Sequence, residues 1–166
     1  MRLFRHLLSI VKVGKKRLQM RFRYIDEQYR ANSLSKIPSW KTLSSLVLEF
    51  KRLCLEHQIV PVILYIPSKL EVYDDHIITT GQEFNRKLVK YYIYPSKKSE
   101  GIENIANNLQ VKLINILPYF KRKAQEGKML YYAFDTHWNT TGIELAAEFI
   151  VSSLASFSAP ALENEL

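Results

Sequence analysis

The sequence predicts an α/β domain with a small parallel sheet flanked by helices. Residues 40–57 carry apolar side chains at helical spacing, and the segment that follows, residues 59–66, is continuously apolar and rich in β-branched residues. Helical and short extended patterns then alternate along the chain, as in parallel strands joined by helices. Only two or three strands can be found, so we expect the sheet to be incomplete and to expose unpaired edges.

Length and composition narrow the class of protein. The chain has 166 residues, of which 47% are hydrophobic, so a single folded domain is expected. One cysteine excludes an internal disulfide framework. No run of about 18 apolar residues occurs, and basic residues interrupt each apolar stretch near the N-terminus, so neither a membrane span nor a signal peptide is predicted. The compartment stays open.

The net charge of +8 is concentrated in a predicted N-terminal segment, residues 1–30, because all eight excess cations precede the first acid, Asp26. Apolar residues at helical spacing predict that this segment is a basic amphipathic helix: Leu3, Phe4, Leu7, Leu8 and Val11. We expect its apolar stripe to lie on the domain and its charges in water. Contact with a membrane surface is the alternative. No nucleic-acid-binding motif accompanies the charge, so nucleic acid is not an expected partner.

The rest of the domain is predicted to span residues 31–158, followed by a frayed tail over 159–166. The helix over 40–57 should bury one face, in which Cys54 is a core residue: Leu43, Leu46, Val47, Phe50, Leu53 and Cys54. Further helices are predicted over 100–108, 117–126 and 141–157, with short strands over 111–116 and 129–134. Gly127 is a helix-ending glycine, and Thr141 with Glu144 has capping-box spacing. Residues 73–99 are predicted to be largely irregular.

Ser68 follows the apolar strand and precedes a helix, where a nucleophilic serine could stand. The tight turn around such a serine needs glycines, and the neighbours here are Pro67 and Lys69. Glu71 lies three residues further on, at the spacing of a capping box. We therefore predict that Ser68 caps a helix.

The segment that carries chemistry is Asp135-Thr136-His137-Trp138-Asn139-Thr140-Thr141-Gly142. An Asp two residues before a His can place its carboxylate on the imidazole Nδ1–H, which leaves Nε2 free to take a proton from a serine hydroxyl. A purely structural hydrogen bond and a metal-binding pair are the alternatives. The other candidate metal ligands are scattered, so neither a metal nor a cofactor is predicted: His57, His76, Asp74 and Asp75.

The string DTHWNTTGIELAAEFI resembles the final block of SGNH/GDSL hydrolase-like proteins and is similar to the Asp-x-His-Trp element of the alginate O-acetylation proteins in that superfamily. The apolar strand ending in Pro67-Ser68-Lys69 resembles a second element of these proteins, and the resemblance spans residues 40–157. It implies a partial three-layer, flavodoxin-like SGNH fold. It also implies ester hydrolysis or O-acyl transfer on an ester-bearing carbohydrate, with His137 as general base and Asp135 as its orienting partner. Trp138 would pack beside the loop, and Lys69 would face the site.

The Gly-Asp-Ser block that supplies the nucleophile in this superfamily is missing from the sequence, as are the oxyanion-hole Gly and Asn blocks. Three explanations are open: a fragment of a longer reading frame, a half-domain whose partner chain carries the serine block, or a non-catalytic member. The non-catalytic alternative is an interaction module that contacts a membrane or an acidic partner through its basic segment. We expect the chain alone to associate with itself, because the missing strands would leave apolar surface exposed.

Overall fold

The computed structural model describes residues 5–24, 38–80 and 96–158. Its strands are β1 (Arg5–Val13), β2 (Lys16–Tyr24), β3 (Val62–Tyr65), β4 (Ile77–Thr80) and β5 (Lys112–Asn115). Its α-helices are α1 (Pro38–Glu56), α2 (Lys69–Tyr73), α3 (Ser96–Asn108), α4 (Leu117–Gln125) and α5 (Thr140–Ser158), and a 3₁₀ turn follows α2 over Asp74–His76. None of the helices in these ranges is long and apolar enough to cross a membrane.

The parallel sheet predicted from the sequence is confirmed. β3 pairs with β5 in parallel, with Val62 opposite Lys112 and Tyr65 opposite Asn115. Each of these strands has one neighbour within the described ranges. Helices flank the sheet, so the mixed α/β class is also confirmed.

The predicted N-terminal helix is wrong. Residues 5–24 form an antiparallel hairpin of β1 and β2, and β1 also pairs with β4 to complete a three-stranded sheet in the order β2-β1-β4. The described part of the segment follows a period of two instead, since Val11, Val13 and Met20 are buried while the neighbouring Lys12 and Arg21 are exposed. Tertiary burial of that strand face outweighs the helical spacing.

A glycine turn fixes the hairpin. Gly14 and Lys15 connect the strands, and Gly14 has a φ of +59°, which is the conformation that a primed two-residue turn needs at its first central position. Gly127, which ends α4 with a φ of +88°, lies against it, so that a Cβ on Gly14 would come within 3.0 Å of the Gly127 Cα. The hairpin is thereby held against the end of α4, and the predicted helix stop at Gly127 is confirmed.

The core has two parts. The larger one joins the hairpin to α2, α4, α5 and β5 through a set of buried residues that includes Val11, Tyr73, Phe120 and Tyr131. The smaller one packs α1 against α3 and Val111. In α1, Val47 and Cys54 are buried as predicted. The other half of the predicted stripe is exposed, since nothing in the described chain covers it: Leu46, Phe50 and Leu53.

Three local predictions need correction. Residues 129–134 make only an isolated bridge, between Tyr131 and Trp138, and do not form a strand. The first cap of α5 comes from Asn139, whose Oδ1 accepts the Gly142 N–H at 2.9 Å, and not from Thr141. The stretch over 73–99, predicted irregular, contains β4 and the start of α3. Residues 81–95 and the tail over 159–166 lie outside the described ranges.

Gly142 lets α5 closely approach the segment around the Tyr131–Trp138 bridge, which is the stem of the loop before this helix. A Cβ at this position would lie 2.1 Å from the backbone oxygen of Leu130 and 3.2 Å from the Trp138 Cβ. Neither atom belongs to a flexible side-chain end. The small residue is therefore required for α5 to begin directly beside the stem.

We expect Gly142→Ala to lower the free energy of unfolding by about 1–3 kcal/mol, because the added methyl group forces the stem and helix apart. Urea unfolding measures the change. Ser152→Ala, on the exposed part of the same helix, is the control and should change stability by no more than about 0.5 kcal/mol. Equal stabilities for the two variants would contradict the close approach.

Candidate active site

The turn after β3 forms one side of the site. Ser68 is the N-cap of α2: its Oγ accepts the Glu71 N–H at 3.3 Å, and the Glu71 carboxylate accepts the Ser68 N–H at 2.7 Å. The predicted capping box is confirmed. The second carboxylate oxygen of Glu71 accepts a hydrogen bond from the Tyr65 hydroxyl, so this buried acid is held by two partners. The turn is consequently a fixed structure, built from neighbouring groups.

The loop that carries Asp135 and His137 forms the other side. It is closed by the Tyr131–Trp138 bridge, in which the Tyr132 N–H donates to the His137 oxygen at 3.2 Å and the Asn139 N–H to the Leu130 oxygen at 3.0 Å. The Asn139 side-chain amide also donates to the Met129 oxygen at 3.0 Å. Its other amide atom caps α5, so one residue joins the stem to the helix.

Asp135 and His137 are in contact. The Asp135 Oδ1 accepts the His137 backbone N–H at 2.8 Å, which is an Asx turn, and it also accepts a hydrogen bond from the ring Nδ1–H. The i, i+2 spacing is sufficient for this arrangement, because the turn brings the imidazole back over the carboxylate. With Nδ1 as the donor, Nε2 is the basic nitrogen.

The pair is open to solvent. The side chain of His137 is 82% exposed and that of Asp135 is 55% exposed. The hydrogen bond from the His137 backbone N–H, and next the one from its ring, lower the pKa of the Asp135 carboxyl, so the carboxylate is ionised at neutral pH. Within the described ranges no hydroxyl group bonds to His137.

Lys69 lies beneath this loop. Its side chain is buried, and its Nζ donates to the backbone oxygens of Tyr132 and Ala133, each at 3.0 Å, and of Asp135 at 2.7 Å. The lysine therefore approaches the site from the protein interior and bonds to the loop backbone. Burial, only partly offset by the nearby Asp135 charge and reinforced by Arg21, lowers the pKa of Lys69 to about 8.

Trp138 packs beside the loop, as predicted, with its ring 5.2 Å from that of Phe120. The Tyr131 hydroxyl, on the facing side of the bridge, donates to the Pro67 oxygen at 2.6 Å. Burial raises the pKa of Tyr131, which stays a neutral donor. These contacts tie the stem of the loop to the turn after β3.

The alternative of a metal site has no geometric support in the described chain, where no three His, Cys, Asp or Glu side chains converge. His76 is instead held by the Lys12 backbone oxygen at 2.9 Å, and Asp74 and Asp75 pair with Lys121 at 2.8 and 2.9 Å. His57 follows the end of α1.

The whole arrangement can be compared with known families. The family described as the SGNH hydrolase-like domain of acetyltransferase AlgX matches residues 24–165. The chain belongs to this family. No curated protein and no solved structure matches the chain. Membership confirms the resemblance drawn from the Asp135 block and the Pro67-Ser68-Lys69 turn.

Sequence reasoning missed two features of this AlgX-type domain. The bonds from Lys69 to three backbone oxygens were not predicted, although its place in the Pro67-Ser68-Lys69 turn suggested that it faces the site. The support from β2 was also missed: the Arg21 N–H donates to the Ala133 oxygen at 2.8 Å. No local pattern signals this contact, because it joins segments more than 100 residues apart.

The lowered pKa of Lys69 predicts how stability changes with pH. Between about pH 8 and 10.5 the unfolded chain keeps a proton on Lys69 that the folded chain has released, so stability rises with pH across this window. The charged groups that act on Lys69 are Asp135 and Arg21. We expect the free energy of unfolding of the wild type to rise by about 2–3 kcal/mol relative to that of Lys69→Met between pH 7.5 and 10.5.

Urea unfolding of both proteins at a series of pH values measures this difference. Titration of the buried Tyr73 and Tyr131, whose pKa values burial raises, occurs in both proteins and cancels. A difference that stays constant with pH would mean that the Lys69 ammonium is not desolvated in the folded protein.

Proposed function

We propose that this chain takes part in ester hydrolysis or O-acyl transfer, with acetyl transfer to a carbohydrate as the favoured reaction, and that it supplies the base half of the site. The observation that carries the proposal is the hydrogen bond from the His137 Nδ1–H to Asp135 in an SGNH hydrolase-like domain. The carbohydrate acceptor is inferred from the family resemblance.

In this reaction the neutral His137 takes the proton of a serine hydroxyl at Nε2 as the serine oxygen attacks the ester carbonyl. Asp135 holds the ring in the required tautomer and stabilises the imidazolium that forms. His137 then returns the proton to the leaving alkoxide, which departs as an alcohol and leaves an acyl-serine. Water or a sugar hydroxyl attacks that ester in the second half of the reaction, again with His137 as the base.

The serine and the oxyanion donors have to come from polypeptide beyond the described residues, either of this protein or of a second chain. Large apolar side chains around the pair support such a covering segment, since Tyr132, Phe134 and Ile143 are all more than half exposed. Covering them would also remove water from His137, which strengthens the electrostatic contributions to catalysis. Without a cover, this surface favours self-association.

The test compares single substitutions in cells that make the protein. We expect His137→Ala to reduce the O-acetyl ester content of the extracellular carbohydrate, measured as hydroxamate, by about 100-fold or more, because the general base is lost. Asp135→Asn should reduce it as well. His57→Ala is the matched control and should have no effect. Unchanged ester content in His137→Ala would overturn the proposal.

A companion assay locates the nucleophile. Hydrolysis of a small aryl acetate by the purified chain should be the same for the wild type and a folded His137→Ala variant if the serine comes from elsewhere. An acetyl-serine trapped in the wild type and absent from His137→Ala would place a nucleophile within these 166 residues and would contradict the half-site. Ser68 would then be the first residue to replace.

A second candidate function is suggested by the outer face of the hairpin. Lys12 lies directly opposite Arg17 on this face, and both are exposed, as are Arg21 on the same side of β2 and Lys15 in the turn. Facing cations repel each other in a sheet, and no carboxylate of the described chain forms an ion pair with them. This face is suited to an anionic membrane surface.

We expect Lys12→Gln/Arg17→Gln to weaken binding to vesicles containing phosphatidylserine by about 30-fold at low salt, since each of the two cations near such a surface contributes about 1 kcal/mol. Vesicle co-sedimentation measures the change. Lys41→Gln/Lys112→Gln removes the same charge from exposed positions on α1 and β5 and is the control. If both pairs weaken binding equally, the hairpin face has no special role.

A further inference from the structure

The Lys69 side chain occupies an unusual position for a cation. It leaves the first residue of α2, is only 3% exposed, and ends among three backbone oxygens of the loop that carries Asp135 and His137. An ammonium group has three N–H donors, and three tightly spaced oxygens suit it. Burying this charge is unfavourable. We therefore look for the contribution of Lys69 in its hydrogen bonds, which hold the loop backbone in one conformation.

Two of the oxygens of Asp135 accept hydrogen bonds from different partners. Its backbone oxygen accepts the 2.7 Å bond from Lys69, the shortest of the three, while its side-chain Oδ1 accepts both hydrogen bonds from His137. Fixing the peptide of Asp135 fixes the direction in which its side chain leaves the backbone. Lys69 therefore acts on the orientation of the imidazole through one intervening residue.

The turn from which the Lys69 side chain extends toward the loop is itself held in place by hydrogen bonds. The capping box of Ser68 and Glu71 fixes the turn where its side chain begins. The Tyr73 hydroxyl accepts the Leu130 N–H at 2.8 Å, which binds the stem of the loop to the same helix. Although α2 has only five residues, it bonds to the loop at two places: Tyr73 at Leu130, and Lys69 at the backbone as far as Asp135.

We propose that Lys69 is the positioning residue of the candidate site: its ammonium fixes the backbone of residues 132–135 and thereby holds Asp135 and His137 in their hydrogen-bonded geometry. The inference rests on the proposed function for its importance to catalysis. The geometric claim is independent of that function. The hydrogen bonds that carry this role run from the Lys69 Nζ to backbone oxygens of the loop.

The test replaces Lys69 with Met, which keeps the length of the side chain and removes the donors. We expect the His137 imidazole to lose its fixed tautomer in long-range ¹H–¹⁵N correlation spectra, with the His137→Ala spectrum assigning the signals. Hydrogen exchange of the Tyr132 and His137 amides should become about 10-fold faster. The Phe120 amide, which donates to Ile116 in the core, should keep its protection.

Lys51→Met is the matched control, because the Lys51 Nζ also donates to a backbone oxygen, that of Leu109 at 2.7 Å, but far from the loop in the fold. It should leave the His137 signals unchanged. Lys69→Arg keeps a charged donor, and partial recovery of the tautomer would support the proposal. An unchanged tautomer and unchanged exchange in Lys69→Met would overturn it, and so would equal loss of protection at Tyr132 and Phe120.

A measurement on the wild type keeps the proposal testable if Lys69→Met does not fold. In protein labelled with both ¹³C and ¹⁵N and kept well below pH 8, the Lys69 Nζ should show couplings across hydrogen bonds to the carbonyl carbons of Tyr132, Ala133 and Asp135. Their absence would overturn the inference. None of these measurements needs enzymatic activity. If the protein lacks acyl transfer but its His137 tautomer depends on Lys69, only the proposed function is contradicted and the positioning role of Lys69 stands.

Discussion

The hydrogen bonding of residues 130–139 to their surroundings is the constraint on which the rest of the site depends. This segment has almost no regular secondary structure, so its backbone groups find partners elsewhere: Lys69 and Tyr73 on α2, and Arg21 on β2. A buried backbone group without a partner is costly, and these contacts supply partners from two elements. The hairpin and α2 must both be in place before the loop has a defined conformation.

The same constraint explains why the Asp135–His137 pair is ordered although it is exposed. An isolated Asx turn on a surface contributes little to stability, since water competes for each hydrogen bond. Here the turn begins at the Asp135 peptide, whose oxygen accepts a hydrogen bond from the buried Lys69. The orientation of the Asp135 carboxylate follows from that fixed backbone. The chain thus presents an oriented Asp–His pair at the surface of a domain of the AlgX-type family. Nucleophile and oxyanion donors would complete it for acyl transfer.

The parts of the fold that were predicted correctly are those whose signals are local and strong. The strand over 62–65 was recognised from its continuous apolar residues, α2 from its capping box, and the end of α4 from Gly127. The hairpin was mistaken for a helix because the apolar residues before Lys12 fall at helical spacing, and only burial of Val11, Val13 and Met20 against the core shows the strand period. In α1 the periodicity was right, but half of the predicted buried face is exposed because no described element covers it.

The sequence by itself predicted the contact between Asp135 and His137, because two residues so close along a turning loop can meet through local geometry, and the surrounding string identified the family. It could not determine what holds that pair in place. Lys69 lies 66 residues before Asp135, and Arg21 lies 112 residues before Ala133. Hydrogen bonds over such separations depend on how β2, α2 and the loop pack together. That packing minimises exposed apolar surface over the whole domain, which no short stretch of sequence encodes.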